Sequence, residues 1–291
     1  MNICIAGKND ISANALEYAY EKLGPKKLFA LPNQNDSGIH KWNKSLRKTA
    51  IEKQIRIINS IEELYNIENL IFISLEYDKI ISVKKFQSSR LYNIHFSLLP
   101  RYKGVYTSAL HILNYEKIAG VTLHLIDDGI DTGDIIDQIP FYLDKFINCR
   151  ELYFLLNKYG LKLFKKNFMK LISKKVTYVK KPQSAFHSSY YSKSSINYKN
   201  LRIDLLKTAF EIDAQIRAFY FPEYQIPEVH DYPIEASTIL SERSFQKPGS
   251  LLKDNSSYIV ISTIDFNLKL IKYIGVGPQK WTPKTGQCVK L

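Results

Sequence analysis

The chain has 291 residues, 45% hydrophobic and 24% charged, a balance that belongs to a folded globular protein and excludes long-range disorder. That length exceeds the usual single domain of about 100–200 residues, so one large domain with a smaller appendage is expected. The formal net charge of +13 raises nucleic acid as a partner, but the excess is local: Lys145 to Asn200 holds 13 Lys and Arg against one acid, Glu151.

Alternating β and α patterns over the first 140 or so residues predict an α/β domain: a mostly parallel, Rossmann-like sheet with helices on both faces. Asn2–Ala6 reads as a buried strand, Ile11–Lys22 as a helix ending before Gly24-Pro25, and Lys27–Leu31 as a second strand. A polar, turn-rich stretch, Asn33–Asn43, precedes a helix over Ser45–Gln54. The apolar run Leu70–Leu75 has the composition of a central parallel strand, and Tyr92–His95, Val121–Ile126 and Ile135–Ile139 complete the set.

Glu151–Lys174 has Leu152, Leu156, Tyr159, Leu163 and Phe168 at helical spacing with lysines elsewhere, which predicts an amphipathic helix with a solvated lysine face. Gly160 inside it costs about 1 kcal/mol relative to Ala, so a kink or close packing is expected there. Lys175–Asn200 reads as a surface linker, Leu205–Phe219 as a helix, and the residues after Ile234 as β-rich, with Gly249–Lys253 and Tyr258–Thr263 split by Asp254-Asn255-Ser256-Ser257. The expected divisions are residues 1–175, 176–230 and 231–291: a catalytic domain, a linker with a helix, and a small β-rich C-terminal unit.

No window approaches the ~20 uninterrupted apolar residues that cross a bilayer, and the chain opens on NICIAG instead of a basic signal segment, so a cytoplasmic protein is expected. Cys4, Cys149 and Cys288 lack metal-ligand spacing; free thiols and no metal are expected.

The unusual stretch is Asn93-Ile94-His95-Phe96-Ser97-Leu98-Leu99-Pro100, followed by Asp131 within Asp128-Gly129-Ile130-Asp131-Thr132-Gly133. Asn and His two apart on a strand share a face, and ligands collect at the carboxyl ends of strands in open α/β sheets. Glycines at 129 and 133 let the later loop bring a carboxylate to the imidazole. These blocks, with Gly104, Gly120-Val121-Thr122-Leu123-His124 and Asp131-Thr132-Gly133-Asp134, resemble the family that transfers formyl groups from folate. The resemblance covers about Met1 to Lys175 and implies that Asn93, His95 and Asp131 are catalytic, with 10-formyltetrahydrofolate as formyl donor. In that chemistry an amide and a protonated imidazole can donate to the oxyanion, His95 is the expected proton acceptor, and Asp131 orients the ring and favours its charged form. His124 has either a packing or a site role.

By the same resemblance the folate is held by Ser74, Leu75, Glu76 and Tyr77 and by Ile126, Asp127, Asp128, Gly129 and Ile130, largely through backbone groups. Relatives formylate glycinamide ribonucleotide, initiator methionyl-tRNA or nucleotide-linked amino sugars. The Tyr190–Lys193, Gln215–Phe219 and Phe221–Pro227 runs and the Asp36…Trp42…Ser45-Leu46 pattern are similar to bacterial enzymes acting on dTDP-linked amino-dideoxy sugars. That implies a nucleotide-sugar substrate, dTDP-4-amino-4,6-dideoxyglucose ahead of its 3-amino isomer, in O-antigen or other surface polysaccharide synthesis. Lys8, Asn9 and Arg217 are candidates for the pyrophosphate, and Trp42, Tyr220 and Tyr224 for ring contacts. A homodimer through the C-terminal β-rich unit is expected, membrane and nucleic acid are not, and a methionyl-tRNA formyltransferase is the competing reading.

Overall fold

The computed structural model of the chain describes residues 1–173 and 180–275. Cys288, the C-terminal unit beyond Gly275 and part of the expected linker lie outside the described residues. The chain divides into two compact units: Met1–Gly104, Ala119–Phe141 and Leu155–Tyr190 form the first, while Val105–Ile118, Tyr142–Phe154 and Tyr191 onward form the second.

In chain order the elements are β1 (Asn2–Gly7), α1 (Asn9–Leu23), β2 (Leu28–Pro32), α2 (Leu46–Glu52), β3 (Arg56–Ile57), β4 (Leu70–Leu75) and β5 (Leu91–His95). After them come β6 (Lys103–Gly104), α3 (Thr107–Leu113), β7 (Ile118–Leu125), β8 (Ile135–Tyr142), α4 (Cys149–Ile172) and β9 (Tyr190–Tyr191). The last are α5 (Ala209–Phe219), β10 (Glu228–Val229), β11 (Tyr232–Arg243), β12 (Leu251–Asp254), β13 (Tyr258–Ile261) and β14 (Phe266–Lys272).

The main sheet has seven strands in the order β3-β2-β1-β4-β5-β7-β8. Strands β1 to β5 pair in parallel, and every residue of β4 is buried, as a central strand covered on both faces requires. From β1 the chain winds first toward β2 and β3, then returns to build β4 and β5 on the other side. This is the reversal at which open α/β sheets leave a crevice beyond their carboxyl ends. Strand β7 pairs antiparallel to β5, setting Asn93 opposite His124 and His95 opposite Thr122. Gly7 closes β1 against β4: a Cβ there would lie 1.7 Å from the Leu75 carbonyl oxygen, and its φ of +145° is itself glycine territory.

Helix α4 runs unbroken through Gly160. Close packing, the second of the two expectations, explains this glycine, since a Cβ would come within 2.6 Å of Ile11 Cδ1 and 3.2 Å of Phe96. Leu152, Leu156, Leu163 and Phe168 are buried while Lys158, Lys162, Lys165, Lys166 and Lys170 are exposed, which gives the solvated lysine face.

The second unit holds an antiparallel sheet in the order β10-β11-β14-β13-β12 over a core of Ile212, Ile216, Ile259, Ile261, Leu268 and Leu270. Helix α5 starts at Ala209, later than the pattern from Leu205 implied. Thr208 and Glu211 form a reciprocal capping box, which satisfies the first free N–H groups and fixes the start there. Cys4 and Cys149 are buried free thiols.

Candidate active site

The parallel β4–β5 pairing and the antiparallel β5–β7 pairing place Asn93 on a central strand with His124 directly across. The β7–β8 connection then returns Asp131 to the same edge. Its carboxylate Oδ2 accepts the Gly104 backbone N–H at 2.9 Å and lies 3.4 Å from His95 Nδ1, while Oδ1 accepts the Asn93 amide at 3.2 Å. Asn93, His95 and Asp131 therefore meet in one cluster, as their spacing implied. His124 joins them, with Nε2 3.0 Å from Asn93 Nδ2 and 3.6 Å from Asp131 Oδ1.

Burial works against an ionised Asp131, but the charges of His95 and His124, with hydrogen bonds from His124 and the Gly104 N–H, outweigh it. The carboxyl is held well below the usual carboxylate range. His95 is 7% exposed, and both its ring nitrogens face acceptors: Nε2 lies 2.7 Å from the Tyr102 carbonyl and Nδ1 faces Asp131. Two acceptors around one ring suit the doubly protonated imidazolium, because a neutral ring donating to Tyr102 would turn a lone pair toward the carboxylate.

The loop bearing Asp131 is pinned from behind. Gln183 donates through Nε2 to the carbonyls of Asp131 (2.9 Å) and Gly133 (2.8 Å), and its own Oε1 is buried without a partner. Gly133 is required at its position, since a Cβ would sit 2.0 Å from the Leu125 carbonyl. Asn9, Glu76, Tyr102 and Asp131 have left-handed backbones, with φ of 60°, 61°, 57° and 55°. Each such residue costs about 1–3 kcal/mol, and strain of this kind gathers at functional sites.

Of the expected folate residues, Ser74 and Leu75 spend their strand positions on ladders with β1 and β5. Tyr77 packs in the core near Phe72, with its hydroxyl pKa raised by burial and then by nearby negative charge. Glu76 accepts Asn33 Nδ2 at its carbonyl, and Asn33 Oδ1 is buried with no partner. Ile126 hydrogen-bonds to Leu91, Asp127 Oδ1 holds Gly129 N and Thr132 Oγ1, and Asp128 pairs with Lys84 at 3.1 Å. Ile130 is exposed beside Asp131.

Lys8 is the N-cap residue of α1 and Asn9 begins the helix; Asn9 accepts the Asn43 amide and donates to Glu76 Oε2 at 3.4 Å. Trp42, half-buried, precedes Asn43 in the same polar loop. Asp36 and Ser45 serve that loop's folding. Asp36 accepts from Gly38, Ser45 and Arg47, and Ser45 caps α2 through Lys48 N at 2.9 Å. Arg217, Tyr220 and Tyr224 belong to the second unit. Arg217 is paired with Asp213 at 2.8 Å and donates to the Ile147 carbonyl, Tyr220 lies edge-on to Tyr273, and Tyr224 leans on Phe221. Among the described residues no cluster of three or more His, Cys, Asp or Glu could hold a metal ion, and no helix is long and apolar enough to cross a membrane.

The family signature described as formyl transferase matches residues 17–144. WlaRD, a sugar 3N-formyl transferase solved in the presence of dTDP and 5-N-formyl-THF, is 44% identical over 95% of this chain and 99% of its own, with a TM-score of 0.86. The chain belongs to the formyl transferase family. The N-formyltransferase from Helicobacter canadensis, in complex with folinic acid and dTDP-3-aminofucose, is also 44% identical, covers 94% of this chain and 100% of its own, and has a TM-score of 0.85. Methionyl-tRNA formyltransferase of Fervidobacterium nodosum is 30% identical over 74% of this chain and 68% of its own. The residue for which the sequence allows either a packing or a site role is His124, and it lies beside Asn93 and Asp131. The signal for it is the antiparallel register that sets it opposite Asn93.

Proposed function

We propose that the protein transfers a formyl group from 10-formyltetrahydrofolate to the amine of a dTDP-linked 3-amino-3,6-dideoxyhexose. The observation that carries this reading is 44% identity, over nearly the full length of both chains, to two enzymes solved with dTDP or a dTDP-3-amino sugar and a formylated folate. The same observation moves the choice of amine from C4, favoured on overall resemblance, to C3. The residues present suit the donor: an unpartnered buried acceptor, Asn33 Oδ1, can take an N–H from a ligand, and the exposed Ile130 beside Asp131 offers apolar surface to a flat ring.

Asn93, His95 and Asp131 are the catalytic groups in this reading. Bound folate supplies the formyl carbon. His95, charged and paired with Asp131, offers positive charge to the formyl oxygen as it turns negative. Its Nε2–H, resting on Tyr102, is the hydrogen that can be redirected: His95 would give that proton to the departing donor nitrogen and take back the one the amine loses as the new C–N bond forms. Lys8, Asn9 and Trp42 are the proposed nucleotide contacts, and Arg217, Tyr220 and Tyr224 are candidates to be tested each by its own substitution. The product would serve surface polysaccharide synthesis in the cytoplasm. A homodimer would cover the all-exposed edge strand β12, where Leu251 and Leu252 lie open; a monomer by light scattering would remove that part.

The deciding experiment offers the enzyme 10-formyltetrahydrofolate with dTDP-3-amino and dTDP-4-amino sugars and with charged initiator tRNA, and detects the formyl adduct by mass spectrometry. Formylation of the 3-amino sugar is expected. Formylation of tRNA alone, with the steep salt dependence of phosphate-backbone contacts, would replace the proposal by the tRNA reading.

A further inference from the structure

We propose that Ser189 is a positioning residue that holds the Tyr102 carbonyl on His95 Nε2, and so sets the direction of the hydrogen that His95 has to move. The inference rests on the formyl-transfer reading of this site, and it gives a role to a segment, Gln183 to Ser189, that lies outside the catalytic loops.

Tyr102 is buried and has a left-handed backbone, with φ of 57°. A residue with a Cβ keeps that conformation only where its surroundings over-determine it. Both peptide groups that flank Tyr102 are pinned. In the first, the Arg101 carbonyl accepts from Ser97 Oγ at 2.7 Å while the Tyr102 N–H donates to Ser189 Oγ at 2.8 Å. In the second, the Lys103 N–H donates to the Ser189 carbonyl at 2.8 Å and the Tyr102 carbonyl receives His95 Nε2 at 2.7 Å.

A trans peptide group is planar, with its carbonyl and N–H on opposite sides. The Tyr102–Lys103 bond is trans, so an N–H fixed on Ser189 directs the carbonyl of the same group the other way, onto His95. Ser189 therefore acts at both ends of Tyr102, through its hydroxyl on one peptide and its carbonyl on the next. Its own N–H donates to the Pro100 carbonyl at 3.2 Å, which adds a third tie to the same turn.

The other side of the imidazole is reached from the same segment. Gln183, six residues before Ser189, donates to the carbonyls of Asp131 and Gly133, and Asp131 faces His95 Nδ1 at 3.4 Å. Ser189 acts through Tyr102 and Gln183 through Asp131, so one short stretch sets both acceptors that bracket the ring. Ala185 to Ser188 are exposed, so this stretch adds little to the core, and its contacts here are polar. When formyl transfer proceeds, the Nε2–H must leave Tyr102 for the departing donor nitrogen. A carbonyl held at one point keeps that hydrogen aimed until the ligand takes it, whereas a loose carbonyl lets the ring turn.

The test combines two variants and one spectroscopic measurement. Ser189→Ala leaves the backbone contacts in place and removes the acceptor of the Tyr102 N–H. In that variant kcat for transfer from 10-formyltetrahydrofolate to the dTDP-3-amino sugar should fall about tenfold, the scale of a slight misplacement at a reacting group, with KM for both substrates within about twofold of wild type. Ser189→Thr returns the hydroxyl and should regain kcat to within about threefold of wild type. Nitrogen-15 NMR of histidine-labelled enzyme should show the His95 Nε2–H protected from exchange with water in wild type and Ser189→Thr, and exchanging faster in Ser189→Ala. Wild-type kcat in Ser189→Ala would overturn the proposal, as would an unchanged Nε2–H signal beside a reduced kcat. So would equal losses in the two variants that follow a common fall in thermal stability, which is what a purely structural serine predicts. The NMR measurement needs no amine, so if the enzyme formylates none of the amino sugars the function reading fails while the positioning of His95 is still decided.

Discussion

Replacing Asp131 by Asn keeps the side-chain volume and removes the charge. In the native site the carboxylate accepts from Gly104 N at 2.9 Å and Asn93 Nδ2 at 3.2 Å and faces His95 Nδ1 at 3.4 Å. An amide has one oxygen, so at least one of these donors meets an NH₂ group, and His95 loses its counter-ion. Hydrogen bonds to charged groups contribute about 1.5–3 kcal/mol each, so losing two places the cost at about 3–6 kcal/mol, or about 10²–10⁴ in kcat. Single-turnover transfer from 10-formyltetrahydrofolate to the amino sugar measures it. The stability effect has a defined sign: because the folded Asp131 pKa is depressed, its contribution is fully present above the ordinary Asp value of about 3.9 and is lost as pH falls through the lower folded value. The stability gap between wild type and Asp131→Asn should therefore be widest near neutrality and narrow in acid. A variant with kcat within about threefold of wild type would refute the assignment of Asp131 to the catalytic cluster.

Gln183→Ala removes two hydrogen bonds to the Asp131 loop but also an orphaned buried oxygen, so unfolding free energy should change by less than about 1 kcal/mol while kcat falls about tenfold; unchanged kcat would show that the loop needs no clamp. Gly7→Ala forces a methyl within 1.7 Å of the Leu75 carbonyl, and calorimetry should find about 2–4 kcal/mol of lost stability. Burial raises the Cys4 thiol pKa and pushes Cys149 up to about 12, so neither should be alkylated in the native enzyme at mildly alkaline pH, and both should react after denaturation when mapped by mass spectrometry.

The parallel strands were legible because an apolar run bounded by turn residues has few alternatives: Leu70–Leu75 is the observed β4 residue for residue. Helix α3 was not, because six of its seven residues are buried and a helix covered on most sides has no amphipathic stripe. The start of α5 was available in Thr208 and Glu211, a capping box that periodicity alone overran by four residues. His95 and Asn93 stood out through spacing on one strand, whereas His124 needed knowledge of its partner strand. Sequence distance carries no record of which strand lies opposite, and only the antiparallel β5–β7 register turns a packing histidine into a neighbour of Asn93.

The positive charge illustrates the same limit from the other side. Counted along the chain, the lysines between 145 and 200 resemble a track for a phosphate backbone. In space, those on α4 occupy the helix face away from its buried leucines; Lys166 is neutralised by Asp137 at 2.8 Å and Lys165 sits over the Tyr18 ring. A phosphate track needs cations spaced along a groove with planar groups to receive bases. A helix face whose lysines are individually paired, stacked or surrounded by water meets solubility and packing requirements instead. Charge on this helix therefore weighs little between tRNA and a nucleotide sugar, and the choice falls to the full-length likeness to enzymes solved with dTDP ligands.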